Sequence, residues 1–363
     1  MIPLLFPADT SAVPATGDLG SGILLDTISC TVDREINGMY ELTMTYPITG
    51  NLYGEIALRS LLYVAPNDTD DKQFFRIYKI SKPMRGVVTI NARHIAYDLA
   101  GYICPPLTAN TISAAFSAIE ANAVPNDDFP FDFSTSRTTS ATFKVTVPTD
   151  VWSLMAGQQG SLLDVYTGEW DFDNWTIKLP TRLGADNGAR IVYGENMKDV
   201  RQDENCASMY TGIYPYWYTE EDGLVTLTEQ TVSGSGTYAF EIIKAVDFTD
   251  RIGTKPTEAQ LRAAAQAYVT ANDVGVPQVS IDVDFVPLWQ TEEYKNNSFA
   301  ANLERIGLGD TVLVSFPALG VNATARAVAY KYNCLKDRYD KITIGSAQAD
   351  VGQVIQQMID KSI

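Results

Sequence analysis

The chain has 363 residues, 45% of them hydrophobic, and a formal net charge of −17. That length holds two or three domains with their own cores, and that apolar content excludes a disordered tail. The acidic balance excludes ordinary binding to DNA or RNA, which relies on basic surface to displace phosphate counterions; only a protein that must not stick to nucleic acid would meet DNA with this charge.

No apolar run reaches the ~20 residues of a membrane helix. The start, MIPLLFPADT, lacks a basic n-region, a full apolar h-region and a small-residue cleavage site, so a secretory signal is not expected.

In chain order, β structure comes first. Cys30, Val32 and Ile36 alternate with Thr31, Asp33 and Glu35, and after Asn37-Gly38 the alternation resumes as Tyr40, Leu42, Met44 and Tyr46. Asn-Gly between two such runs predicts a hairpin with a two-residue turn, both residues at positive φ. A second hairpin is expected from Phe74–Ile80 and Val87–Arg93 around Lys82–Gly86. Ala109–Ala123 reads as a helix with Ile112, Ala115, Phe116 and Ile119 on one face. Phe143–Val147 is a short strand, and Asp150 caps a helix that starts there. In GEWDFDNWTIKLPTRLGADNG two strands flank a turn at Asp173-Asn174.

Beyond residue 201 the chain returns to β. Tyr210–Tyr218 and Leu224–Glu229 flank a turn, and Thr257–Asn272 is a helix opened by the capping box Thr257-x-x-Gln260. QVSIDVDFV, Thr311–Phe316, Thr324–Tyr332 and Lys341–Ile344 complete a sheet. Val351, Ile355 and Met358 then form the apolar stripe of a terminal helix. The expected class is α+β and β-rich, with two β-barrel-like domains, at 1–105 and 201–346, around a small α/β domain at 106–200, and a C-terminal helix at 347–363.

Candidate chemistry is sparse. His94 is the only histidine, which excludes zinc sites needing two or more, and its strand places it beside Val88, Ile90 and Ala92 on an inward face. Core architecture is the plain reading of His94; catalysis is the other. Glu169, Asp171 and Asp173 are the carboxylates a glycosidase could use, with Trp170 and Trp175 as sugar platforms. The plain alternative has the acids facing water and the tryptophans packed. Asp68–Asp71 and Asp171–Asn174 lack the twelve-residue calcium loop pattern and read as solvated turns. No nucleotide-binding glycine motif is present. Tyr214–Tyr218 is either a binding surface or one strand of alternating burial. Cys30, Cys104, Cys206 and Cys334 show no CxxC pair; four buried free thiols is the plain reading, and a long-range disulfide stays open. No catalytic, cofactor-binding or metal-binding residue is assigned.

DREINGMYELTMTYP, FFRIYKISKPMRGVVTINARHIAYDL, GSLLDVYTGEWDFDNWTIKLPTRLGADNGARIVYGENM, PQVSIDVDFV and IGLGDTVLV, in this order, resemble the N-terminal hub region of phage tail minor structural proteins, the prophage endopeptidase tail or tail-associated lysin family. The resemblance runs from about residue 20 to 346. It implies a fold similar to contractile-tail hubs and a homotrimer that caps the distal tail tube. Its two β-barrel-like domains per chain would dock on a sixfold distal tail protein, beside the tube or tape-measure protein, and phage DNA would pass without specific binding. The implied location is the virion tail tip, assembled in the host cytoplasm. The family's lytic and fibre domains lie after this region, and the chain ends soon after Gly345, so no lytic residue carries over and no enzyme is expected. Asn37, Gly38, Gly168, Gly184, Gly194 and Gly309-Asp310 read as structural devices, and Arg93 and Asp98 as a possible ion pair. The acidity fits either a phosphate-repelling lumen or solubility. The alternatives are a cell-wall hydrolase and a host-glycan-binding β module.

Overall fold

Seven strands follow one another in the first part of the chain: β1 (Leu4–Phe6), β2 (Gly22–Ile23), β3 (Ser29–Glu35), β4 (Tyr40–Pro47), β5 (Leu61–Val64), β6 (Gln73–Ser81) and β7 (Val87–His94). The computed structural model describes residues 1–84, 86–126, 129–206, 209–276, 278–285, 305–316 and 321–345. The terminal helix expected at 347–363 lies outside the described residues.

The alternation in β3 and β4 has the effect expected of period-two patterning. Cys30, Val32, Leu42, Met44 and Tyr46 are buried, while Thr31, Asp33, Glu41, Thr43 and Thr45 line the other face. Their connection differs from the expectation. Only Asn37 takes positive φ, at 53°. The Glu35 N–H bonds the Met39 carbonyl at 2.8 Å, which leaves a three-residue loop in place of two. The Asn37 side chain is committed elsewhere: its amide donates to the Gly168 carbonyl at 3.0 Å and its oxygen accepts from the Trp170 N–H at 2.8 Å. The loop is thus shaped by a distant partner as well as by its own turn preference.

Six later strands join the same sheet: β8 (Ala189–Val192), β9 (Met197–Asn205), β10 (Gln278–Phe285), β11 (Thr311–Phe316), β12 (Val321–Asn333) and β13 (Arg338–Gly345). The path runs β9-β10-β13-β12-β3-β4-β7-β6-β5-β1-β2; β11 lies along the first half of β12, and β8 lies parallel to β11. The β-rich α+β class is the one expected. The sheet is open, not closed into barrels, because β3 pairs with β12 (Glu35 opposite Ala329, Thr31 opposite Asn333) and carries the hydrogen-bond ladder from the first part of the chain into the last.

One core serves this sheet and the α/β segment between its halves. That segment contains α1 (Ile112–Asn122), α2 (Val151–Met155) and α3 (Leu162–Tyr166). The helix expected from Ala109 starts three residues later. Leu107–Thr111 is a strand paired with Ser140–Val145, and Thr111 turns the chain into α1 by accepting from the Ala114 N–H at 3.2 Å. The expected apolar face of α1 is buried, and Asp150 caps α2 through the Ser153 N–H at 2.8 Å.

Residues 210–274 form a second core of Ile213, Leu227, Val246, Phe248, Leu261, Ala265 and Val274. Gly212–Thr219 is its central strand; α4 (Thr249–Ile252) and α5 (Glu258–Ala271) complete it, α5 opening with the expected capping box. In the central strand Ile213, Pro215 and Trp217 are buried while Tyr214 and Tyr216 are half-buried and Tyr218 exposed, which is the alternating strand reading of that aromatic run. This unit is inserted between β9 and β10, which pair antiparallel as its stalk. Arg251 ties it to the main body by an ion pair with Asp164 of α3 at 2.5 Å.

Candidate functional site

His94 ends β7 with no exposed surface. Its Nε2 lies 3.1 Å from the Gln73 Oε1, its Nδ1 accepts from the Ala96 N–H at 3.2 Å, and its ring stacks on Tyr40 at 4.5 Å. With Nδ1 an acceptor, Nε2 carries the proton. Burial, reinforced by the charge of Arg34, holds its pKa well below the ordinary imidazole value. The surroundings are a cap and an aromatic stack, the architectural alternative.

This has a pH consequence. His94 is neutral in the fold but protonates in the unfolded chain below about pH 6.5. Its contribution is full above that pH and is lost as the pH falls below it, at up to about 1.4 kcal/mol per unit. Guanidinium titrations at pH 7 and 5.5 should show a lower midpoint at pH 5.5, and His94→Phe should show a smaller difference. Equal pH dependence in both proteins would assign the effect to carboxylates.

The pair suggested for Arg93 and Asp98 does not form. Arg93 bonds Glu41, its partner across the sheet, at 3.1 Å, and Asp98, in the helical turn that follows β7, bonds the Arg76 Nε on β6 at 2.5 Å.

The acidic residues of the GEWDFD stretch have arginine and lysine partners. A cleft of about 700 Å³ opens where the first strands, the α/β segment and the last strands meet, lined among others by Arg34, Asp70, Asp171, Gly184, Arg305 and Asp310. Arg34 points inward from β3, with 6% of its side chain exposed, and bonds Asp70 at 3.1 Å and Asp171 at 3.2 Å. Its guanidinium carbon stands 4.6 Å from the centre of the Tyr40 ring. Burial works against this charge, but the neighbouring tyrosines and the two aspartates outweigh it and hold its pKa above the ordinary arginine value. Asp70 is presented by an Asx turn in which the Asn67 oxygen accepts from the N–H groups of Thr69 and Asp70 at 2.8 and 2.6 Å.

Behind the cleft, Glu169 receives both ends of the Arg326 fork at 2.5 and 2.8 Å and the Leu183 N–H at 2.6 Å. Asp310 accepts from the N–H groups of Ala185 and Gly307, each at 2.7 Å. Gly184 and Gly309, both at positive φ, touch backbone to backbone: a Cβ on Gly184 would lie 2.2 Å from the Gly309 carbonyl carbon. Asp173 pairs with Lys178 at 3.9 Å and accepts from Gln73 at 3.2 Å.

Trp170 and Trp175 are buried among Phe116, Phe172 and Phe74, so they present no sugar platform. The alternative that kept the tryptophans packed is the one observed. Its acids facing water need correction: Glu169 is itself buried, and Asp171 is taken by Arg34. The Asp68–Asp71 turn is likewise not simply solvated, since Asp70 holds Arg34 and Asp68 accepts from the Tyr339 hydroxyl at 3.0 Å. Among the described residues no group of three or more His, Cys, Asp or Glu side chains is placed to hold a metal ion. Cys30, Cys104 and Cys334 are buried as expected, whereas Cys206 is exposed.

Arg34 and Arg326, the centres of both networks, carried no motif in the sequence. For Arg34 a signal was present: it falls on the inward register of Cys30 and Val32, where an arginine requires buried partners.

Residues 185–355 match the family model described as the prophage endopeptidase tail. The fold is similar to that of prophage tail protein gp18 from Listeria monocytogenes EGD-e, at 17% identity over 99% of both chains with a TM-score of 0.64. It is also similar to a tail protein from Neisseria meningitidis MC58, at 10% identity over 97% of this chain and 98% of that one, TM-score 0.61. A 43 kDa tail protein of prophage MuSo2 from Shewanella oneidensis is similar at 12% identity over 97% and 99%, TM-score 0.61. No curated protein sequence matches the chain.

Proposed function

We propose that this chain, which has the fold of prophage tail proteins and the prophage endopeptidase tail segment over residues 185–355, is a structural subunit of the tail-tip hub. In this reading three copies form a ring that caps the distal tail tube, docks on the distal tail protein and gates the passage of DNA. Its working parts are the two β-rich regions, 1–105 and 201–346, with 106–200 between them. The location is the virion, and the division of labour leaves host attachment or wall cleavage to fibre or lysin domains.

The observation that most favours a structural role is how the candidate carboxylates are used. Glu169 is held bidentately by Arg326 and Asp171 is held by Arg34. A hydrolase would need one of two such groups to give up a proton and the other to face the sugar. Here both tie distant parts of the chain together.

Light scattering on the purified chain, alone and with the distal tail protein, tests the reading; a trimer in either sample is the expected result. A monomer in both would overturn the hub. Peptidoglycan release by the wild type that disappears in a folded Glu169→Gln variant would replace it with the hydrolase reading.

A further inference from the structure

Two of the four cysteines, 304 positions apart in the sequence, meet in the fold. β3 and β12 run antiparallel with Thr31 opposite Asn333, so the next position outward sets Cys30 opposite Cys334. The Cys334 N–H donates to the Cys30 carbonyl at 2.9 Å, which continues the ladder to this pair. Directly opposed residues point to the same face. Both side chains lie in the main core with no exposed surface.

We propose that Cys30 and Cys334 are an oxidisable pair that closes into a cross-strand disulfide, fastening β3 to β12 at the seam between the first and last parts of the sheet. Directly opposed residues of antiparallel strands have Cα atoms about 4.5–5.5 Å apart, inside the 4.4–6.8 Å span of natural disulfides. The bridge therefore forms without re-registering the strands. It closes a loop of roughly 300 residues, a length at which a cross-link strongly restricts the unfolded chain. The pair also sits where β3 begins and β12 ends. Strand ends open locally at lower cost than strand centres, which gives a small oxidant access.

Hydrogen peroxide is such an oxidant. The sulfur of one cysteine attacks a peroxide oxygen, the O–O bond breaks, and a sulfenic acid and one water result. The second thiol then attacks the sulfenic sulfur, the S–O bond breaks, and a second water leaves. Two thiols and one peroxide become one disulfide and two waters. The adjoining Cys334 thiol, with burial, pushes the Cys30 thiol well above its ordinary pKa, so closure is slow at neutral pH and accelerates as the pH rises.

The test uses the full chain, reduced and then freed of reductant. Exposed Cys206 is first capped on the native protein with N-ethylmaleimide. Peroxide follows at pH 7 and pH 9, then denaturation, labelling of remaining thiols and peptide mapping without reduction. The expected result is a linked Cys30–Cys334 peptide with Cys104 the one remaining thiol, forming faster at pH 9. The oxidised chain should melt on the order of 5–10 °C higher, an increase abolished by a phosphine reductant. Three free thiols at pH 9 after prolonged exposure, a link involving Cys104, or over-oxidation without any link would each overturn the proposal. No substituted variant is required, so loss of folding cannot obscure the answer.

Discussion

Gly184→Ala should destabilise the fold by about 3–5 kcal/mol, through strain and overpacking together. Gly184 has φ +67°, a region in which a side chain costs about 1–2 kcal/mol by itself. The larger part comes from contact. The added methyl would sit 2.2 Å from the carbonyl carbon of Gly309 and 2.3 Å from the nitrogen of Asp310, backbone atoms that no rotamer change can move. Relief requires the two loops to separate, which strains the Asp310–Ala185 bond at 2.7 Å and the Thr311–Ala185 backbone bond at 2.9 Å. Urea titration reads this as a lower midpoint at unchanged slope, and thermal melting as a drop of about 10 °C. Gly188→Ala is the control, because Gly188 has φ +75° with open space around it. If the two variants lose equal stability, the glycine contact contributes nothing and only conformational strain is measured.

Removing the guanidinium of Arg326 should have the second largest effect. Arg326→Met keeps most of the side chain's volume but leaves Glu169, with 11% of its side chain exposed, without its counter-charge. Breaking a buried pair from one side costs about 3–5 kcal/mol, since the remaining charge is uncompensated. Arg326 also donates to the Gly309 and Leu183 carbonyls at 3.1 and 3.0 Å, so the loss reaches the same loop contact. Adding Glu169→Gln should recover part of the deficit, because a neutral amide can stay buried where a carboxylate cannot. A double-mutant cycle by urea titration measures this, with a coupling of about 1–3 kcal/mol expected. Strict additivity would mean that Glu169 is solvated in the variant and that the pair does not hold the junction.

Local structure was legible wherever it follows from neighbours in sequence. The alternation of Cys30–Tyr46, the Thr257–Gln260 capping box and the Asp150 cap need only side chains a few positions apart, and all are present as read. The errors fall where a remote segment decides. Asn37 and Gly38 form a three-residue loop while the Asn37 side chain binds around Gly168 and Trp170. Ala109–Thr111 is a strand because Ser140–Val145 pairs with it. Asp98 takes Arg76 over Arg93 because the helical turn after β7 sets it against β6. The junction was the least legible part. Arg34 and Asp171 are 137 positions apart, and Arg326 and Glu169 are 157 apart, so neither pair leaves a spacing to recognise. Gly184 reads as a turn glycine and Gly309 as the residue before a strand, since a contact between two backbones leaves no side-chain pattern in either segment.

The pairing of β3 with β12 also orders events during synthesis. A ribosome adding about 5–20 residues per second needs roughly 15–60 s to reach β12 after β3 has emerged. Throughout that interval β4 can occupy one edge of β3, while the other edge remains an open ladder of N–H and C=O groups that could pair with another nascent chain. Arg34 then acquires a role that the finished fold conceals. An inward-pointing charge on the waiting edge makes that strand a poor template for a stranger, which before the α/β segment emerges would have to bury the guanidinium without Asp171 in place. Asp171 is synthesised well before β12, so when the correct partner arrives the guanidinium already has its carboxylate, and the residue that holds the completed junction also disfavours an earlier pairing with the wrong chain.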